Sequence, residues 1–317
     1  MLKYIFLLIG FIVIIKASDV LVDSASSIAI KCKVPKMLVA LTIVSFGTCA
    51  PEIAISFTSV ANKNGTIAFA NVIGSCIVNV FLIIGLASLL HPIKVKHETV
   101  KKELPILFLI TTSFSVLMLD SLFNKSNPNV FSRIDGIILM LLFLMFVTYL
   151  VQMLHRKEKN PQKVDVKYDS IPIAIIILIL SIVLISLSSN IIVDNAVKIA
   201  KSLNISEKLI TMTAIVIGTS LPEMFMTVSS ARKGEFDMAI GNIIGTNIFN
   251  ICIVLGLPVA IYGDICLSNF SMIDIMAVFL TSLDLYLFAR SERTISKAEG
   301  LTMLLIFAVY YVSVIFF

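Results

Sequence analysis

The chain has too little charge for life in water. Only 14% of its 317 residues are Asp, Glu, Lys or Arg, and 58% are hydrophobic. A soluble protein of this size carries roughly 25% charged residues to cover its surface. The mean hydropathy of +1.01 therefore calls for a solvent other than water around most side chains. The alternating hydrophobicity of β-barrel strands is missing too; the apolar runs are continuous and reach bilayer-spanning length. There is no Cys-x-x-Cys pair and no His-Glu-x-x-His run. His91, His97 and His155 lie near predicted loops, which argues against an intramembrane metallohydrolase. No long polar insert interrupts the chain: the longest polar connection, His155 to Ser170, is too short for a folded domain. The net charge of +5 is spread over short loops, so it bears on orientation in a membrane and not on a nucleic-acid partner.

What remains is a series of apolar segments. The hydropathy pattern predicts ten transmembrane helices at 2–29, 36–61, 67–90, 103–121, 133–154, 171–200, 207–231, 236–261, 269–289 and 299–317. The run Leu2 to Ile15 is followed by further spans and not by a cleavage site leading into a soluble domain, so it reads as the first span and not a signal peptide. Of the 25 lysines and arginines, 18 fall on the side reached after the odd-numbered helices and 7 on the other, with Lys16 counted in the first loop. The positive-inside rule then predicts both termini outside the cell membrane.

An internal repeat organises these segments. Gly47-Thr48-Cys49-Ala50-Pro51-Glu52 returns as Gly218-Thr219-Ser220-Leu221-Pro222-Glu223, at an offset of 171. Asn71-Val72-Ile73-Gly74-Ser75 returns as Asn242-Ile243-Ile244-Gly245-Thr246, and Asn79, Gly85 and Asp23 return as Asn250, Gly256 and Asp194, all at 171. Arg133-Ile134-Asp135-Gly136 resembles Lys297-Ala298-Glu299-Gly300 at an offset of 164. Chance likeness between apolar stretches explains shared Ile and Leu, but not shared Gly, Pro, Glu and Asn at fixed spacing. A five-helix unit is odd, so its second copy enters the membrane from the opposite side. The expected fold is thus an all-α membrane protein of two inverted five-helix repeats, residues 1–154 and 171–317, joined by a cytoplasmic linker at 155–170.

The repeated residues carry the chemistry. Glu52 and Glu223 fall in the middle of apolar helices, where an ionisable group costs at least ~2.5–3.5 kcal/mol and is functional by default. No mid-span Lys or Arg is available to pair with them, which leaves a bound cation or a shared proton. Pro51 and Pro222 break each helix one residue before its glutamate, so backbone carbonyls near Ser45–Gly47 and Val216–Gly218 can turn toward a cavity. One proline kink is weak evidence, since such kinks also serve packing; two matched kinks are strong. On the next helix Asn71, Ser75 and Asn79 share one face at i, i+4 and i+8, and so do Asn242, Thr246 and Asn250. Asn71 and Asn242 read equally well as interhelical hydrogen-bonding glue. Ser75, Asn79, Thr246 and Asn250 are expected to face the glutamates. All of these are hard oxygen donors suited to Na+ and Ca2+, and two carboxylates balance one Ca2+ or two Na+. Asp274 maps to Glu103 at the same offset and both lie near helix ends, which reads as interfacial; Asp284 is not repeated.

These motifs resemble the two α-repeats of the cation/calcium antiporter superfamily, and within it are most similar to prokaryotic sodium/calcium exchangers. The resemblance covers essentially the whole chain. It implies a secondary antiporter that extrudes cytoplasmic Ca2+ against inward Na+, with no cofactor. It implies alternating access, helices one and six sliding over a core of the other eight. By position, Glu52 and Glu223 would both bind Ca2+, and Thr48 and Thr219 would offer it backbone carbonyls. Ser75, Ser220 and Thr246 would help hold Na+, and Asn79 and Asn250 would line the centre. Cys49 stands where the family usually has serine, and Asn250 where many members have aspartate. A thiol is a poor Na+ ligand, so that half is expected to hold sodium less well. The Gly-Asn-Ala-x-Glu pattern of the proton-coupled branch is absent; a Ca2+/H+ or other cation/H+ antiporter is the alternative. A passive channel needs no inverted pair of broken helices but could use them, and stays open as a third class.

Overall fold

A computed structural model describes residues 2–123, 130–155, 167–203, 217–266 and 272–316. Its helices in chain order are α1 (Leu2–Cys32), α2 (Lys36–Thr48), α3 (Ala50–Ala61), α4 (Gly65–Leu90), the short α5 (His97–Lys101), α6 (Glu103–Phe123), α7 (Arg133–Leu154), α8 (Ile171–Ser202), α9 (Leu221–Arg232), α10 (Phe236–Tyr262), α11 (Met272–Ser291) and α12 (Lys297–Phe316). Among the described residues eight helices are long and apolar enough to cross a bilayer, and counting the bent pair α2–α3 as one span makes nine. The predicted seventh span, 207–231, begins outside the described residues and is seen from residue 217. Most of the predicted linker, 156–166, is likewise outside them. Lys16 lies inside α1, so the first connection starts later than the charge count assumed.

Two layers of packing follow from composition. α4 and α10 are central: 78% and 83% of their apolar windows are buried, against 22% for α7 and 11% for α12. The helices that carry the repeated polar stripes are thus the ones most removed from lipid. α1 and α8 run along each other and bury Ile14, Leu21 and Ile28 against Leu178, Ile185 and Ile192, apart from the main core. The other face of α8 exposes Ile176, Leu180, Leu184 and Leu187, as a lipid-facing helix must.

Small residues let the central helices cross closely. A Cβ on Gly136 of α7 would sit 2.8 Å from the Gly256 carbonyl of α10, and one on Gly300 of α12 would sit 2.8 Å from the Gly85 carbonyl of α4. Backbone contact at this range needs glycine. Gly85 and Gly256 are repeat mates, as are Gly136 and Gly300, so the two crossings are equivalent. Each crossing helix opens on the same cap. The Ser132 N–H donates to Asp135 at 2.7 Å, and the Ser296 N–H donates to Glu299 at 2.7 Å.

Two short antiparallel ladders tie the ends. β1 (Ile93–Lys94) pairs with β4 (Thr294–Ile295), and β2 (Val130–Phe131) pairs with β3 (Ile265–Cys266). The acids expected near helix ends each receive a tyrosine: the Tyr149 hydroxyl donates to Glu103, and that of Tyr310 donates to Asp274 at 2.9 Å. At the end of the bundle where α1 meets α9, Arg232 and Lys233 pair with Asp19 and Asp23, each at 2.5 Å.

Candidate cation-binding site

The site begins at two matched interruptions. α2 and α3 meet at a bend of 52°. Cys49, at the bend, has φ −74° and ψ 0°, and Ser220, just before α9, has φ −86° and ψ 4°. Both lie near the bridge region, where a helix pauses. Each proline then falls in the first turn of the new helix, where its missing N–H leaves no bond unmade. The new helices restart alike, Ile53 donating to the Cys49 carbonyl and Met224 to that of Ser220, both at 3.0 Å. Glu52 and Glu223 consequently sit in first turns, at the positive ends of helix dipoles.

The two carboxylates are deep and close enough for their charges to act on each other. Glu52 is 1% exposed and Glu223 0%. All four of their carboxylate oxygens lack a hydrogen-bond partner among the described residues. The approach is crosswise: Thr219 comes toward Glu52 and Thr48 toward Glu223. Neither hydroxyl completes a bond to a carboxylate, because Thr219 donates to Asn71 at 3.4 Å and Thr48 to the Ser45 carbonyl at 3.3 Å. The helices are crossed as well. α3 packs against residues 250–256 of α10, and α9 packs against residues 78–84 of α4.

Those two packing segments are wound as π-helix, Val78–Ile84 in α4 and Asn250–Gly256 in α10. π turns inside α-helices redirect side chains and recur at functional sites. Asn79 and Asn250 stand at the start of the two π segments, and both are 0% exposed. Ser75, Thr246 and Ser220 are buried, and their hydroxyl oxygens have no partner among the described residues. Thr48 is buried and Thr219 partly so. The Cys49 thiol is fully buried, faces the Thr246 carbonyl at 4.0 Å, and feels both glutamates.

Three expectations change in detail. The carbonyls near the kinks are not all bare: that of Ser45 accepts the Cys49 N–H at 3.0 Å, and that of Gly218 accepts the Ser189 hydroxyl at 2.8 Å. Asn242 donates to Thr227 at 3.1 Å, the glue role. The third change is an addition. Asn79 Nδ2 donates to Asn247 Oδ1 at 2.9 Å, and Asn247 is buried. Sequence reasoning passed over Asn247 because its repeat mate is Cys76; its proximity to Thr246 was the available signal. No cluster of three or more His, Cys, Asp or Glu forms among the described residues. The donors here are two carboxylates among neutral oxygens, a set that fits hard cations.

Helices long and apolar enough to cross a bilayer, broken at a buried polar centre, have the build of a multi-pass membrane transporter. The chain belongs to the sodium/calcium exchanger protein family, whose model matches residues 2–152 and 173–316. It is an antiporter of the sodium/calcium exchanger type. It is 35% identical over 314 residues to the putative antiporter CaxA of Alkalimonas amylolytica, covering 96% of each chain. It is 30% identical over 346 residues to the sodium/calcium exchanger MaX1 of Methanosarcina acetivorans, covering 98% of this chain and 97% of that one. A solved structure of the sodium-calcium exchanger NCX_Mj, soaked with 2.5 mM Na+ and 0.1 mM Ca2+, superposes with a TM-score of 0.84 at 28% identity, over 99% of this chain and 98% of that one.

Proposed function

We propose that this protein exchanges Ca2+ for Na+ by alternating access and extrudes cytoplasmic Ca2+. One observation carries the reading: four buried carboxylate oxygens, on two matched helix breaks, with no hydrogen-bond donor among the described residues. Two ionised carboxylates left so would repel each other and cost several kcal/mol each. A divalent cation between them removes both penalties. Glu52 and Glu223 share the Ca2+, with Thr48 and Thr219 supplying backbone carbonyls. Ser75, Ser220 and Thr246 serve Na+, and Asn79 and Asn250 line the centre. Na+ and Ca2+ compete for one pair of charges, so the site cannot hold both loads, and that competition is the coupling.

The two halves, 1–154 and 171–317, are inverted copies about the linker 155–170. The equivalent glycine crossings, equivalent caps and equivalent breaks favour this reading. So does a family match that divides between residues 152 and 173. α1 and α8 form the element that slides, and their packing along each other supports a joint motion. Both termini lie outside the cell membrane.

The names of MaX1 and NCX_Mj favour sodium over protons as the driving ion. The test is uptake of radiolabelled Ca2+ into proteoliposomes loaded with Na+, with K+, or with a proton gradient alone. Uptake is expected only from Na+-loaded vesicles. Uptake driven equally by the proton gradient would replace this reading with a Ca2+/H+ antiporter.

A further inference from the structure

The loop end of α11 holds an open pocket of about 640 Å3, walled by His97, Lys101, Tyr286, Arg290, Glu292 and Arg293. It lies where the ends of α5 and α6 meet the α11–α12 connection, on the side of the bundle that carries most of the lysines and arginines. Three permanent cations thus face one carboxylate. Other bases at this end have found acids: Lys36 pairs with Glu235 and Lys96 with Asp237, each at 2.6 Å. Lys101, Arg290 and Arg293 form no ion pair among the described residues. Glu299, which follows Arg293 at the start of α12, is already held by Ser296 and Ser291.

The loop is fixed in this arrangement. Arg293 has φ +55°, an uncommon backbone for a residue with a side chain. Its carbonyl accepts the Val95 N–H at 2.8 Å, beside the β1–β4 ladder. The opposite ladder gives a contrast. There the Arg133 N–H donates to Asp264 at 2.7 Å and its guanidinium donates to the Ile261 carbonyl. There the arginine finds acceptors within the chain, and here the arginines leave excess positive charge around a concavity.

We propose that this pocket binds a phosphate group, that of an anionic lipid headgroup. Two guanidinium groups suit phosphate because each can present two N–H donors to its oxygens. Tyr286 and the buried Val100 floor offer an apolar wall for the glycerol side, at the depth where tyrosines favour the interface. Basic pockets between transmembrane helices on a cytoplasmic face are a physical match for such headgroups. The pocket is independent of the ion site, so its test does not depend on exchange.

The experiment measures thermal stability and native-mass lipid retention of the purified full-length protein in neutral detergent. Phosphatidylglycerol, phosphatidylcholine and inorganic phosphate are added separately. Phosphatidylglycerol is expected to raise the melting temperature and be retained, and phosphatidylcholine to do neither. Arg290→Gln with Arg293→Gln should weaken phosphatidylglycerol binding about tenfold or more, and Lys94→Gln should leave it unchanged. If the double variant does not fold, Lys101→Gln alone tests the same wall. A shift with inorganic phosphate equal to that with lipid, and lost in the variants, identifies free phosphate as the source. Equal effects of the two lipids, or wild-type binding by the pocket variants, would overturn the proposal.

Discussion

Asn79 and Asn247 join α4 to α10 by a hydrogen bond between their carboxamides, Asn79 Nδ2 donating to Asn247 Oδ1 at 2.9 Å. The bond fixes the amide plane of Asn79 beside the ion site. The repeat mate of Asn79 has no such holder. Cys76 stands where a second asparagine would be, and both polar atoms of Asn250 lack a partner among the described residues. One half of the centre is therefore set and the other adjustable. Asn247→Ala is expected to cost about 1 kcal/mol of stability, the usual scale of an interhelical hydrogen bond in a membrane, and to weaken Ca2+ binding as well. Thermal melting with Ca2+ titration checks both; unchanged Ca2+ affinity would mean the pair is only glue.

Cys49 gives a second prediction. Its thiol lies between the glutamates' surroundings and the Thr246 carbonyl, and its repeat mate Ser220 offers a hydroxyl. Cys49→Ser replaces a soft donor by a hard one. Apparent Na+ affinity in exchange assays should rise. No change would show that position 49 does not face sodium.

The glycine crossings make a third. A Cβ on Gly300 would fall 2.2 Å from Ser88 Oγ, and one on Gly136 would fall 2.8 Å from the backbone nitrogen of Ala260. Gly136→Leu and Gly300→Leu should each destabilise the protein by ~1–3 kcal/mol or more through overpacking. Equal losses in detergent melting would fit two equivalent crossings, and a loss at only one would count against the inverted repeat.

Orientation can be read from native thiols. Cys32 and Cys266 are exposed, whereas Cys49, Cys76 and Cys252 are buried. With both termini outside, as the positive-inside rule predicts, Cys32 would lie inside and Cys266 outside. A membrane-impermeant maleimide applied to intact cells should label Cys266 and spare Cys32, as followed with Cys32→Ser and Cys266→Ser. The reverse pattern would put both termini inside.

Much of this was legible in the chain because the chemistry is written twice. The glutamates, the prolines before them and the asparagine stripes stand out through one constant offset, and the structure finds those residues at matched breaks and in matched helices. The same filter hid Asn247, since Cys76 breaks the repeat there. The π winding at 78–84 and 250–256 was invisible, because a π turn leaves the apolar composition of a buried helix unchanged. The two-residue ladders were too short to form a pattern. Which carbonyls near the kinks stay bare was also beyond sequence: Ser189, which holds Gly218, belongs to a different helix and bears no motif. The basic pocket needed the fold, for Lys101 and Arg290 are far apart in the chain.

One cation shared by Glu52 and Glu223 is the centre of the proposed mechanism, and calorimetric Ca2+ titration of the purified protein tests that sharing most directly. The expected result is one Ca2+ per chain, displaced competitively by Na+. Glu52→Gln and Glu223→Gln should each weaken binding about 100-fold or more, equivalent to ~2.8 kcal/mol. Wild-type Ca2+ affinity in either variant, or Ca2+ binding that Na+ does not displace, would contradict it.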